Sequence, residues 1–172
     1  MTDSPYAPYF RLGCAYVTCA TFGRQPVLKD PHAAHLLESV LRDLGRRYSF
    51  QTVGHVILPE HAHLFLHPGE RVTLDRIMHG LFAVFERGYL EMMGLPQGAP
   101  VWQRAYRAVG IEDLKAFTDR LDYIHYNPVH HGLVARPEEW LQSSYGAWIE
   151  RRVYKLGWGW VQPINLRGKR WE

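Results

Sequence analysis

Residues 50 to 67 constrain the fold more than any other stretch. Two runs patterned like strands, 50 to 58 and 61 to 67, flank Pro59-Glu60, a pair of residues that marks a turn or bulge. The two runs predict a hairpin. In the second run, alternation sets Ala62, Leu64 and Leu66 on one face and His61 and His63 on the other. The apolar face is expected to lie under helices, and the imidazoles to project from the uncovered face.

The flanking segments supply the rest of the sheet and its helices. Residues 12 to 22 are rich in β-branched and aromatic types, end at Gly23 and read as a first strand. Asp30 before Pro31 is an N-cap followed by the helical position where proline fits best. Leu36, Leu37, Val40, Leu41 and Leu44 then recur at helical spacing, and this helix is expected to end near Arg47. A second helix spans 73 to 93, with Thr73 as cap, Gly94 as stop, and Leu74, Ile77, Leu81, Val84 and Phe85 on one face. A short strand is expected near Val101 to Ala108, and Gly110 is expected to open a third helix that runs to Asn127-Pro128. The order β-α-β-β-α-β describes an α+β, ferredoxin-like sandwich: an antiparallel sheet with two helices on one face, then an extra helix.

A chain of 172 residues suits one domain, and 47% hydrophobic against 22% charged residues fits a folded soluble protein. The N-terminal residues lack a basic patch followed by an apolar run, and no apolar stretch nears the roughly 20 residues that cross a bilayer, so a cytoplasmic protein is expected. Cys14 and Cys19 are an odd number of positions apart in one apparent strand, which points them to opposite faces as buried thiols and removes a mutual disulfide. Paired zinc-ligand spacing is missing too, which disfavours a structural zinc site. Net charge is +3, but it is uneven: from Glu150 onward six Lys or Arg stand against two Glu. The chain therefore divides into a body, 1 to 149, and a basic aromatic tail, 150 to 172. Trp158, Trp160 and Trp171 among those cations suit phosphates and unstacked bases, and equally suit the covering of apolar surface.

Two constellations carry chemistry. His61 and His63, two apart on a strand, stand close enough to share one metal ion, although ten histidines in a chain produce such a pair readily by chance. In the third helix Leu114, Phe117, Leu121 and Ile124 form the buried stripe, while Tyr123 and Asn127, four apart, share a side expected to lie away from it. Pro128 is expected to stop that helix. His130-His131 and the His32, His35 pair read as surface residues.

Together these segments resemble the REP-associated branch of the single-tyrosine HUH transposases. The run from His55 to Leu64 is similar to that family's strand-turn-strand with its His-hydrophobic-His motif. Tyr123-Ile124-His125-Tyr126-Asn127-Pro128-Val129, then Gly132-Leu133-Val134 and Trp140, Ser143, Ser144 and Tyr145, resemble its tyrosine helix and the segment after it. Val101-Trp102-Gln103-Arg104 resembles its Trp-Gln element. The likeness covers about residues 12 to 147 in the family's order. It departs where Arg107, Ala108 and Val109 follow Tyr106, in place of the acidic or amide residue and histidine of many members.

The resemblance implies that His61, His63 and Asn127 bind Mg²⁺ or Mn²⁺ and that Tyr123 is the nucleophile, with Tyr126 the rival tyrosine. It implies attack on a DNA phosphate to give a 5′-phosphotyrosine and a free 3′-hydroxyl, which another strand end can rejoin without ATP. The substrate would be single-stranded or hairpin DNA of the repetitive extragenic palindrome kind. Arg104, Arg107, Arg151, Arg152 and Lys155 are the candidates for DNA contact. A monomer is expected of this branch, although some relatives exchange tyrosine helices across a dimer. A non-catalytic single-strand-binding module and a domesticated nuclease without mobility are the alternatives.

Overall fold

A computed structural model describes residues 4–171. Its elements run β1 (Ala15–Ala20), α1 (Pro31–Tyr48), β2 (Gln51–Ile57), β3 (His61–His67), α2 (Leu74–Met92), β4 (Arg107–Gly110), α3 (Leu114–His130) and α4 (Tyr145–Glu150). The four strands form one antiparallel sheet in the order β2-β3-β1-β4, the strand order of the expected βαββαβ sandwich. Among the described residues no helix is long and apolar enough to cross a membrane.

The helix caps follow the sequence signals. Asp30 accepts a hydrogen bond from the His32 amide at the start of α1, and Thr73 does the same for Arg76 at α2. Gly94, with φ of +64°, follows the end of α2 in the left-handed region that glycine takes without strain.

One face of the sheet packs on α1 and α2. Val17, Cys19, Ala62, Leu64 and Leu66 from the strands meet Leu37, Leu41, Leu44, Ile77, Leu81 and Phe85 from the helices. Cys14 lies in the cluster on the opposite side of the sheet, so the two thiols are separated as their spacing requires. Burial raises them to about 11 for Cys14 and about 12 for Cys19, which keeps both protonated and unreactive.

The second face is not open, contrary to the sequence expectation. α3 lies across it, and Tyr16, Val56, Leu58 and Phe65 pack on Phe117, Leu121, Tyr123 and Ile124. Close approach is made possible by Gly54 at an irregularity in β2. A Cβ there would stand 2.8 Å from Leu121 Cδ1 and 3.3 Å from Ser144 Oγ. The tail joins the same cluster through Val153, Tyr154 and Leu166, with Trp158 packed at a tilt against Tyr154, 4.1 Å between ring centroids. Trp160 is the exposed exception, and its indole donates to Glu138.

The edge of β2 is sealed by α4 and the segment that leads into it from α3. The indoles of Trp140 and Trp148 donate to the carbonyls of Ile57 and Val53, and Val56 forms a bridge with Ser143. Ser144 donates its amide to the His55 carbonyl and accepts the His55 amide on its hydroxyl. An unpaired strand edge invites foreign strands, so this run of Trp, Ser and Tyr has a structural task.

Two boundaries differ from expectation. The strand expected over 101 to 108 is confined to Arg107–Gly110. Trp102 is bridged to Thr21 and Arg107 is paired with Thr18, so the later segment has two more residues between these pairs than β1 and departs from the ladder. Trp102 itself is a core residue, stacked on Phe82 at 5.0 Å. In α3, Asp113 caps the first turn by accepting from the Ala116 amide, so Gly110 closes the strand and does not open the helix.

At the other end α3 continues through Pro128 to His130. The Gly132 amide donates to the Val129 carbonyl and the Leu133 amide to the Pro128 carbonyl, both at 2.9 Å, with Gly132 at φ +68°. That double hydrogen bond around a left-handed glycine is the Schellman stop, and it overrides the proline signal.

Candidate active site

The site forms where the His61 end of β3 meets the C-terminal half of α3. His61 and His63 project from the same face with ring centroids 5.0 Å apart. Both are buried, at 2% and 0% exposure, because α3 and the tail cover the face expected to be open.

Each imidazole is held through its Nδ1. The Glu60 carboxylate lies 3.0 Å from His61 Nδ1 and accepts from it when that nitrogen carries the proton. His63 Nδ1 lies 2.8 Å from the Tyr16 hydroxyl and 3.0 Å from the Thr18 hydroxyl. Thr18 and His63 are cross-strand partners, and Tyr16 is two residue pairs further along, on the same face. An imidazole that donates through Nδ1 presents the Nε2 lone pair as a ligand, which is how metal-binding histidines are oriented.

α3 adds the phenol. Tyr123 sits with its ring centroid 5.7 Å from that of His63 and 6.5 Å from that of Tyr16. It is 1% exposed, so the expectation that it lies away from the buried side is corrected. Leu121 and Ile124 fill the sheet side of the helix, and Tyr123 is buried by the neighbouring His63, Tyr16, His130 and Trp171 rings. Tyr126 lies elsewhere, beside Gly159 of the tail, whose left-handed backbone brings it against Pro137.

Asn127 is fully buried one turn beyond Tyr123. One turn further, the His131 ring packs edge-on against His61 at 5.4 Å. Asn127 therefore falls between a residue that touches His63 and one that touches His61. Among the described residues no three His, Cys, Asp or Glu side chains converge as a metal cluster. The set that could hold a divalent cation is two oriented imidazoles with an amide oxygen, a donor chemistry that Mn²⁺ and Mg²⁺ accept.

The sequence did not place five further side chains at the site. Tyr16 and Thr18 reach His63 across the sheet, and His131 was read only as a surface residue. Arg120, one turn before Tyr123, holds its guanidinium 4.6 Å over the Tyr16 ring and 5.1 Å from the Trp171 ring. Trp171 stacks on Tyr123 at 5.3 Å with 17° between planes. Partners 45 or more positions apart leave no local signal.

Behind the site, α3 carries a buried polar relay. The Tyr6 hydroxyl donates to Asp122 at 2.6 Å, the Tyr154 hydroxyl at 3.1 Å and the Asn165 amide at 2.9 Å. Burial raises the Asp122 carboxyl to about 6 against the lowering effect of these donors. His125 lies between Tyr154 and Ser144, and burial, with smaller contributions from His55 and Arg151, drives its pKa well below the ordinary value.

The five candidate DNA-contacting cations do not form one patch. Arg107 is paired with Thr18, whose other cross-strand partner is His63, so it shares the sheet face of the site. Arg151 stacks over Trp148 and Tyr9, lining a cleft of about 660 Å³ with Arg42 and Arg46. Arg104, Arg152 and Lys155 are exposed.

No family model matches the sequence. The architecture, a four-stranded antiparallel sheet between a helix pair and a helix that bears the phenol, is that of solved transposases. A REP-associated tyrosine transposase described as bound to a REP hairpin superposes with a TM-score of 0.73 over 95% of this chain and 94% of that one, at 22% identity. A Deinococcus radiodurans protein provisionally named a transposase superposes with a TM-score of 0.52 over 64% of this chain and 87% of its own, at 20% identity. In sequence, a REP-associated tyrosine transposase of Escherichia coli K12 is 24% identical over 87% of each chain. A Haemophilus influenzae protein provisionally given the same name is 28% identical over 83% of this chain and 89% of its own. The chain is thus similar to REP-associated tyrosine transposases in sequence and in fold along most of its length, the branch that its motifs resemble.

Proposed function

We propose that this protein is a metal-dependent, single-tyrosine HUH transposase that nicks and rejoins single-stranded or hairpin DNA through Tyr123. The observation that carries this reading is the meeting of the His61, His63 couple with the Tyr123 phenol, some sixty residues apart in sequence. The likeness to transposases along nearly the whole chain supports it.

Each side chain then has a task. His61 and His63, fixed through Glu60 and through Tyr16 and Thr18, present their outer nitrogens, and Asn127 adds an amide oxygen. A divalent cation held there would polarise a non-bridging phosphate oxygen and offset the charge that repels a nucleophile. Tyr123, on a rigid helix, approaches the phosphorus in line. Its oxygen forms a bond to phosphorus as the bond to the 3′-oxygen breaks, its proton passes to solvent, and the departing oxygen takes up a proton. A phenol's ordinary pKa near 10 makes loss of that proton part of the barrier. The new ester conserves the phosphoryl group, so another 3′-hydroxyl can reverse the step.

Burial of Tyr123 means that Trp171 must leave before DNA reaches the phenol. The indole is a flat ring where an unstacked base could sit, and that suits a single-stranded cut site better than a duplex. The same burial is what a non-catalytic binding module would retain, so chemistry has to be measured.

The test is a denaturing gel of the full chain incubated with labelled hairpin DNA carrying single-stranded flanks, with Mn²⁺. A covalent adduct is expected, absent with Tyr123→Phe, retained with Tyr126→Phe and lost without the metal. His61→Ala or His63→Ala is expected to abolish the adduct while much of the DNA binding persists. An adduct undiminished in Tyr123→Phe would remove the nucleophile assignment, and binding with no metal-dependent adduct would favour the module.

A further inference from the structure

Resting on the reading above, we propose that Arg120 is a further catalytic residue, binding a non-bridging oxygen of the phosphate that Tyr123 attacks. Arg120 precedes Tyr123 by one helical turn, so the two side chains neighbour each other along α3. Its guanidinium lies against two rings, 4.6 Å from the centroid of Tyr16 and 5.1 Å from that of Trp171. Tyr16 in turn reaches the His63 ring nitrogen at 2.8 Å. The cation is therefore joined to the histidine couple through a single side chain.

Among the described residues no carboxylate pairs with Arg120. Its neighbour Asp119 is engaged by Lys115 at 2.6 Å and Lys169 at 2.7 Å. What Arg120 donates to is the main-chain carbonyl of Trp171, at 3.4 Å. That tail residue thus places a carbonyl oxygen on the guanidinium and an indole flat on the nucleophile's ring. A nucleotide at the cut would fill both places with the same chemistry, a phosphate oxygen on the fork of donors and a base on the aromatic face. A guanidinium resting on aromatic rings loses little further freedom when it takes a phosphate, and its planar fork is not reproduced by lysine. Arg120 moves no atom in the step. It offsets charge on the phosphoryl oxygens while the Tyr123 oxygen bonds to phosphorus and the 3′-oxygen leaves.

The test compares single-turnover adduct rates of wild type and Arg120→Ala on hairpin DNA, with the cut linkage either a phosphodiester or a neutral methylphosphonate. Both proteins are also measured with Trp171→Ala, so that loosening of the tail is common to the pair. Arg120→Ala is expected to slow the phosphodiester about 100-fold, the usual cost of deleting one donor to a developing charge, and the methylphosphonate less than about 3-fold. Arg120→Lys is expected to recover only part of the rate. Equal slowing on both substrates would reduce Arg120 to a structural support, and no slowing on either would remove it from the site. Failure of the wider reading looks different: wild type would form no Tyr123-dependent adduct at all, and this inference would fall with it.

Discussion

Glu60 is the nearest neighbour of His61 in sequence and also its hydrogen-bond partner, at 3.0 Å. A carboxylate that accepts from one imidazole nitrogen raises the basicity of the other and fixes the ring's orientation, and such partners typically matter 10- to 100-fold in metal affinity. Glu60→Gln keeps an acceptor but removes the charge. The Mn²⁺ concentration that supports half-maximal adduct formation is expected to rise about 10-fold, with DNA binding in the absence of metal unchanged. An unaltered Mn²⁺ titration would mean that His61 is oriented by packing alone. At this scale the period of a strand was enough to place both histidines on one face, and the period of a helix was enough to put Tyr123 and Asn127 together. The partners Tyr16 and Thr18 were invisible because cross-strand register joins residues 47 and 45 positions apart.

α3 has to sit low on the sheet for Tyr123 to reach His63, and β2 allows this at Gly54. A Cβ there would press on Leu121 Cδ1 at 2.8 Å, closer than carbon atoms normally approach. Gly54→Ala is therefore expected to destabilise the fold by about 1 to 3 kcal/mol, the usual cost of overpacking, as measured by urea unfolding. The adduct rate should fall as well, because a helix lifted from β2 carries the phenol with it. A variant as stable and as active as wild type would show that Leu121 simply turns aside. Docking of α3 is also where sequence reasoning stopped short. Periodicity identified Phe117, Leu121 and Ile124 as buried, yet it could not show that the surface they meet is the very face that bears the histidines. The stop at Pro128 failed for a related reason, since a local prohibition yielded to two hydrogen bonds around Gly132 that form only once the chain has turned.

Across the whole molecule, Asp122 ties three distant segments together: Tyr6 near the start of the chain, α3 itself, and Tyr154 and Asn165 of the tail. The basic tail is accordingly part of the second core, with Val153, Tyr154 and Leu166 buried. Within the tail it is Trp171 that stacks on the phenol, so ending the chain after Leu166 is expected to raise the adduct rate several-fold with little loss of stability, whereas ending it after Ile149 should unfold much of that core. Adduct assays beside thermal melts of the two truncations separate these effects, and a slower adduct from the shorter cut would show that Trp171 helps DNA to bind.

The pH dependence of folding follows from the same buried relay. Burial leaves His125 neutral in the folded chain, while the unfolded chain takes up its proton below about 6.5, so its contribution is lost as pH falls, at about 1.4 kcal/mol per pH unit. Asp122 works the other way. Folded, it binds a proton below about 6, and unfolded only near 3.8, so its contribution grows as pH falls between those values. From pH 6 to 4 the two slopes oppose and nearly cancel. Asp122→Asn removes one of them, and over that interval the variant is expected to lose about 2 kcal/mol more than wild type in urea titrations at pH 6, 5 and 4. Parallel profiles would mean that Asp122 is ionised throughout in the folded chain, its three donors outweighing the burial that opposes them.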